Sequence, residues 1–198
     1  MQLIYTHQTE EFIVLVWQFN LDKPTSSNTE IRSYYRNFLL QFLPTITKNK
    51  QCQLYFNQNN KPFIQDKEYK SISISHTLNY LAIQLRKDIY AGIDIETRRE
   101  KLLKVQHKFL NEQEIAYANN DLYLLCCFWT SKEAAFKIYG HQFISLKKNI
   151  YIIQCDLPSI YVDIHLLNFK QERFELHSHY LHPLNITYVV KKIEKNFE

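Results

Sequence analysis

Gly92-Ile93-Asp94-Ile95-Glu96 and Trp129-Thr130-Ser131-Lys132-Glu133-Ala134-Ala135-Phe136-Lys137, the latter closed by Gly140, decide how this chain is read. The two segments contain the only glycines in 198 residues. Glycine serves where the backbone turns through positive φ or another group must approach closely, so tight backbone work is expected here. Ile89 to Ile95 runs or alternates apolar, which predicts a strand buried on at least one face. Residues two apart on a strand share a side, so Asp94 and Glu96 project together, away from Ile93 and Ile95. Neighbouring carboxylates repel and raise each other's pKa unless something neutralises them. A hard divalent cation does so, and Mg²⁺ typically takes one or two protein carboxylates plus phosphates. A pair of exposed strand-end acids bonded to Arg98 or Arg99 is the plainer reading.

Leu122 to Tyr139 has helical periodicity, with Asp121 placed to cap its start and Gly140 to end it. Leu124, Phe128, Ala135 and Ile138 fall on one stripe. Trp129, Glu133 and Lys137 stack four apart on the opposite line. An exposed Glu133–Lys137 ion pair contributes only a few tenths of a kcal/mol, roughly, and needs no function. Trp129 on the same line argues instead for a cleft lined by all three.

The order Ser75-His76, Gly92-Ile93-Asp94-Ile95-Glu96, then Trp129-x-x-Lys132-Glu133-Ala134-x-x-Lys137 resembles the 4′-phosphopantetheinyl transferases, in particular their longer, pseudo-dimeric type. The resemblance spans about Arg32 to Gly140. Asn60-Lys61-Pro62 looks like the family's Gly-Lys-Pro turn, and asparagine tolerates the left-handed geometry glycine would supply. Phe109 to Glu114 looks like its Phe-x-x-x-x-Glu segment. The resemblance implies an α+β fold of two similar α/β halves related by a pseudo-twofold, with the active site in the crevice between them. It implies transfer of the 4′-phosphopantetheine arm of coenzyme A to a serine of an apo acyl or peptidyl carrier protein, a holo-carrier-protein synthase reaction releasing adenosine 3′,5′-bisphosphate. Asp94, Glu96 and Glu133 would then hold Mg²⁺ or Mn²⁺, with Glu133, Lys137 and Lys132 catalytic. Coenzyme A would be bound by Arg32, Lys61, Pro62, Ser75, His76, Lys132 and Lys137, with Arg32 on the 3′-phosphate and Ser75-His76 on the pyrophosphate. A metal-dependent nuclease and a silent coenzyme A- or carrier-binding protein are the alternatives. Nucleases place Glu-x-Lys on a strand, whereas Glu133 and Lys137 have helical spacing.

The rest of the chain sets bounds. With 45% hydrophobic residues it is not disordered, and a net charge of +4 falls short of a nucleic-acid-binding stripe. Cys52, Cys126, Cys127 and Cys155 lack metal spacing and read as reduced, mostly buried thiols. No secretory signal opens the sequence, and the run Phe12 to Trp17 is too short to cross a bilayer. A soluble cytoplasmic monomer is expected, without nucleic-acid or membrane partners. Phe12 to Phe19 reads as a strand, Pro24 to Asn28 as turn and cap, and Thr29 to Phe42 as a helix stopped by Pro44. Its buried stripe is Ile31, Tyr35, Phe38, Leu39 and Phe42, with Arg32 and Arg36 on another line. Gln53 to Phe56 and Lys61 to Ile64 flank a turn as a hairpin, and Ser71 to Ser75 is a strand ending in a loop at His76. Short helices follow at Leu102 to Phe109 and Glu112 to Ala118, then four strands from Ile150 onward. His177, His179 and His182 fall on a surface strand. The predicted halves are 1–96 and 97–198.

Overall fold

The computed structural model describes residues 1–20, 28–77, 79–140, 144–167 and 170–194. It divides into two compact units, Met1–Ala91 and Gly92–Glu198. Most of the turn expected at Pro24 to Asn28 lies outside the described residues.

The first unit holds β1 (Gln2–Gln8), β2 (Phe12–Gln18), α1 (Asn28–Ile46), β3 (Gln53–Phe56), β4 (Pro62–Gln65), β5 (Ser71–Thr77) and β6 (Tyr80–Arg86). Its antiparallel sheet runs β1-β2-β6-β5, and β3-β4 form the separate hairpin foreseen from sequence. β2 is buried from Phe12 through Trp17, as a β-branched, aromatic run in a central strand should be. β1 escaped sequence reading because it is an edge strand with polar side chains on its open side. Tyr35, Leu39 and Leu43 of α1 close the core against Ile13, Leu15, Trp17, Ile83 and Leu85. Full burial of each such side chain contributes about 1.5–3 kcal/mol. Two expectations fail here. Pro44 lies inside α1, which continues to Ile46, and Leu43 rather than the exposed Phe42 completes the stripe.

The second unit holds β7 (Ile93–Thr97), α2 (Lys101–Val105), a 3-10 turn at Gln106–Lys108, α3 (Glu112–Ala118), α4 (Leu122–Tyr139), α5 (Leu146–Asn149), β8 (Ile150–Asp156), β9 (Ser159–His165), β10 (Gln171–Leu181) and β11 (Leu184–Ile193). Its antiparallel sheet runs β7-β11-β10-β9-β8. β7 pairs with β11 from Ile93 opposite Tyr188 to Thr97 opposite Leu184. This pairing moves the boundary ahead of Gly92 rather than after Glu96. Asp94 and Glu96 therefore belong to the same unit as Glu133, not to the preceding half as expected.

α4 begins and ends where predicted. Asp121 accepts from the amides of Tyr123 and Leu124, and Gly140 sits at φ 74°, ψ −163°, a conformation open in practice to glycine alone. Asn119 and Asn120 turn the chain before it through φ 45° and 58°. Among the described residues no helix is long and apolar enough to cross a membrane, and all four cysteines are free.

Candidate functional site

Helix α4 is buried on most of its circumference, and Trp129, Glu133 and Lys137 form part of its partly open side. Beneath them lies the sheet face that carries Asp94 and Glu96, because Thr187 and Asn185 pair opposite these acids and reach Thr130 of the helix. Lys137 Nζ donates to Asp94 Oδ1 at 2.8 Å and to the Ile93 carbonyl at 2.9 Å. The plain reading of Glu133 and Lys137 as an ordinary ion pair does not hold, since Lys137 pairs with Asp94 across the helix–strand contact.

Glu133 therefore feels Lys137 through space, without a salt bridge to it. Burial chiefly, and the nearby negative charge of Asp94, push its carboxyl from the ordinary 4.5 to about 7, with Lys137 pulling the other way. Glu96 is turned aside: Oε1 accepts from Arg99 Nη2 at 2.9 Å and from the Thr97 amide at 2.9 Å. The plain reading of strand-end acids tied to a following arginine holds for Glu96 and not for Asp94.

Among the described residues no three His, Cys, Asp or Glu side chains gather closely enough to hold a metal. The chemistry of the donors nevertheless fits a hard cation. Asp94 and Glu133 are oxygen donors in mutual repulsion, and Mg²⁺ needs only one or two protein carboxylates, completing its octahedron with water and phosphate. Glu96, as it lies, is committed to Arg99. His177 faces Glu175 at 3.5 Å and His182 Nδ1 meets the Tyr180 hydroxyl at 3.0 Å.

Lys132 needs the firmest correction. It precedes Glu133, so about 100° of helical rotation turns it from the open line into the interior. Its side chain is 0% exposed, and its three protons go to Glu114 Oε2 at 2.7 Å, the Ile150 carbonyl at 2.7 Å and the Leu146 carbonyl at 3.0 Å. Burial holds its ammonium below the usual lysine range despite the pull of Glu114. No donor remains for a phosphate. Glu114, singled out in the sequence as the end of the Phe109 to Glu114 segment, also closes a capping box with Asn111 at the start of α3. Its Oε1 also accepts from the Ile152 amide at 2.8 Å. Together with Tyr117, which donates to the Cys155 carbonyl, these side chains seal the edge strand β8.

Gly92 explains how closely the site elements approach. A Cβ there would stand 2.3 Å from the Ala134 carbonyl oxygen, one residue beyond Glu133. Any side chain at 92 would wedge α4 off the start of β7 and part Lys137 from Asp94.

Trp129 packs edge-to-face on Phe109 at 4.9 Å. It lines a groove of about 170 Å³ with Glu96, Thr97, Arg99, Lys101, Leu102 and Val105. The cleft expected around Trp129 therefore opens toward Glu96 rather than along Glu133 and Lys137. A roomier cavity of about 430 Å³ beside β8 and α3 contains none of the site acids, and chemistry outweighs volume in choosing between them.

The remaining sequence candidates lie in the first unit. Arg32 is exposed on α1, and Arg36 stacks over Phe56 at 4.4 Å. Asn60 adopts φ 58° in the hairpin turn, as its place before Lys61 and Pro62 requires, and burial lowers the Lys61 pKa. Ser75 is buried within β5. His76 also lies inside that strand rather than in a loop after it, its ring 5.5 Å from that of Tyr35.

A helix laid on an antiparallel sheet, its lysine bonded to a strand aspartate and a carboxyl of raised pKa close by, is an arrangement suited to charged-phosphate chemistry. The family model of the 4′-phosphopantetheinyl transferase superfamily matches residues 90–189, and the chain belongs to that superfamily, whose members load carrier proteins from coenzyme A. No curated protein matches the chain.

Proposed function

We propose that this protein transfers the 4′-phosphopantetheine arm of coenzyme A to a serine of an apo carrier protein, in the manner of the longer type of the family. The observation that carries this reading is Lys137 donating to Asp94, with Glu133 of the same helix near enough to feel the charge of Asp94, inside the matched segment. The carrier serine oxygen attacks the β-phosphorus of the pyrophosphate. A new phosphoester forms, the bond to the bridging oxygen breaks, and adenosine 3′,5′-bisphosphate leaves. Ionised Glu133 takes the serine proton, and a carboxyl near 7 suits a general base at neutral pH. Lys137 holds Asp94 in place and adds positive charge beside the phosphates. Asp94 and Glu133 would hold Mg²⁺, which supplies neutralisation of charge on the pyrophosphate. Glu96 joins them if Arg99 releases it. Lys132 acts through its grip on Glu114 and the backbone. Arg32, Lys61, Pro62, Ser75 and His76 of the first unit are the proposed coenzyme A contacts, with Arg32 on the 3′-phosphate.

The test is to incubate the purified protein with coenzyme A, Mg²⁺ and apo forms of fatty-acid, polyketide and peptidyl carriers. A carrier mass gain of one phosphopantetheine is expected. No gain on any carrier overturns the reading, and DNA cleavage by the same preparation points to the nuclease class. For Arg32, wild type should prefer coenzyme A over its 3′-dephospho form by about ten- to a hundred-fold, on the order of 1.5–3 kcal/mol. Arg32→Ala should lose most of that preference and leave the dephospho substrate nearly unaffected.

A further inference from the structure

Between α4 and the sheet lies a buried polar network that the proposed chemistry does not use. Asn185 Nδ2 donates to Thr130 Oγ1 at 2.9 Å and to Ser178 Oγ at 3.0 Å. The Thr130 and Thr187 hydroxyls are 2.7 Å apart, and Thr187 lies 3.0 Å from Ser178. Cys127 Sγ reaches Asn185 Oδ1 at 3.6 Å. Thr130, Ser178, Asn185 and Thr187 are all buried, in surroundings where apolar packing is the ordinary choice.

The position of this network gives it a use. Thr187 stands directly opposite Asp94 in the β7–β11 pairing, and Asn185 opposite Glu96. Thr130 lies three residues before Glu133 and seven before Lys137. Apolar contacts alone would let α4 slide or roll over the sheet, because they have no preferred direction. Hydrogen bonds do have one, and a buried donor left without a partner is costly, so the network accepts a single helix register. Gly92 sets how near the helix comes, and the network sets where along the strands it stops. We infer that Thr130 and Asn185 are positioning residues, which lock α4 in the register that puts Lys137 on Asp94 and Glu133 beside it. The inference rests on the transfer reading only for its activity readout.

Three variants test it: Thr130→Ser keeps the hydroxyl, Thr130→Val keeps the shape, and Thr130→Val with Asn185→Leu turns the polar contact apolar. The serine variant should hold kcat within about twofold of wild type. The valine variant should lose at least about tenfold in kcat with KM for coenzyme A unchanged, along with some Tm. The double variant should regain Tm, because apolar replacement of a buried polar set is often neutral or stabilising, yet stay low in kcat. Crystal structures should find Lys137 Nζ within hydrogen-bonding distance of Asp94 in the serine variant and beyond it in the other two. If kcat follows Tm through all three variants, or Lys137 keeps Asp94 in all three, the positioning role is wrong. A wild-type protein that loads no carrier would instead defeat the transfer reading, and the Lys137–Asp94 distances alone would then judge this one.

Discussion

Helix α4 makes two lysine–acid pairs of nearly equal length, Lys132–Glu114 at 2.7 Å and Lys137–Asp94 at 2.8 Å. They differ in everything else. Lys132 and Glu114 are 0% and 3% exposed, and every proton of the ammonium has an acceptor. Lys137 and Asp94 are 25% and 10% exposed, and a second carboxyl, Glu133, shares the charge of Lys137 with Asp94. A closed pair is architecture, because its fields cancel inside the protein. An open one with surplus negative charge leaves work for a cation or a proton, and that surplus marks a site.

The contrast can be broken most sharply at Glu133. Glu133→Ala should cost roughly 10³-fold in carrier loading, about 4 kcal/mol, with Tm unchanged or raised, since a strained charge is removed. Retention of more than about a tenth of wild-type turnover would remove Glu133 from the chemistry.

At the closed pair the loss should appear in stability instead. Lys132→Met leaves the Glu114 carboxylate buried without its cation, a penalty of about 3–5 kcal/mol, and Glu114→Gln in the same protein should return part of it. Denaturant melts of the single and double variants decide the matter. If Lys132→Met melts like wild type but loads no carrier, Lys132 belongs to the chemistry after all.

Lys137→Met should fall between these, lowering turnover by about ten- to a hundred-fold while costing stability about 1–3 kcal/mol, less than at the closed pair. It also removes a nearby positive charge that lowers the Glu133 pKa, so the acid limb of the pH–rate profile should move to higher pH. An unmoved limb would separate Lys137 from Glu133.

The raised Glu133 pKa has a second consequence. A carboxyl whose pKa is higher folded than unfolded favours the fold when protonated. Its stabilising contribution is complete below 4.5 and lost as pH rises through about 7. Between pH 5 and 8 the Tm should therefore drift down where turnover climbs, and Glu133→Gln should flatten the part of the drift due to this group. Added Mg²⁺ should raise Tm more at pH 8 than at pH 5, because it needs the ionised carboxylates.

The smallest effect is expected from Arg99→Ala, which breaks an exposed pair worth under about 1 kcal/mol. Stability should hardly change. Mg²⁺ affinity should rise if Glu96, relieved of Arg99, becomes a ligand, and titration calorimetry showing no change would leave the metal to Asp94 and Glu133.

Much of this unit was legible in the residue order. Asp121 and Gly140 bounded α4, Asn119 and Asn120 marked its lead-in, and the four-residue spacing put Trp129, Glu133 and Lys137 on one line. The hairpin around Asn60 was equally local. Such features depend on a few neighbouring residues and on backbone preferences that travel with the chain. The strand β1 was not legible, since an edge strand with a polar open side lacks the apolar signal that betrays a central one.

The sequence by itself determined which charged groups exist and which side of a helix or strand each can face. Only the tertiary structure decided which of them are spent. Lys132 and Lys137 are five residues apart on one helix, and nothing local says that the first meets a carboxylate and two carbonyls while the second meets Asp94. Pairing of charges depends on distances between elements far apart in sequence, and those are set by packing: Gly92 against Ala134, β7 against β11, Thr130 against Asn185. Periodicity is a short-range property of the chain, whereas electrostatic neutrality is a property of the folded volume.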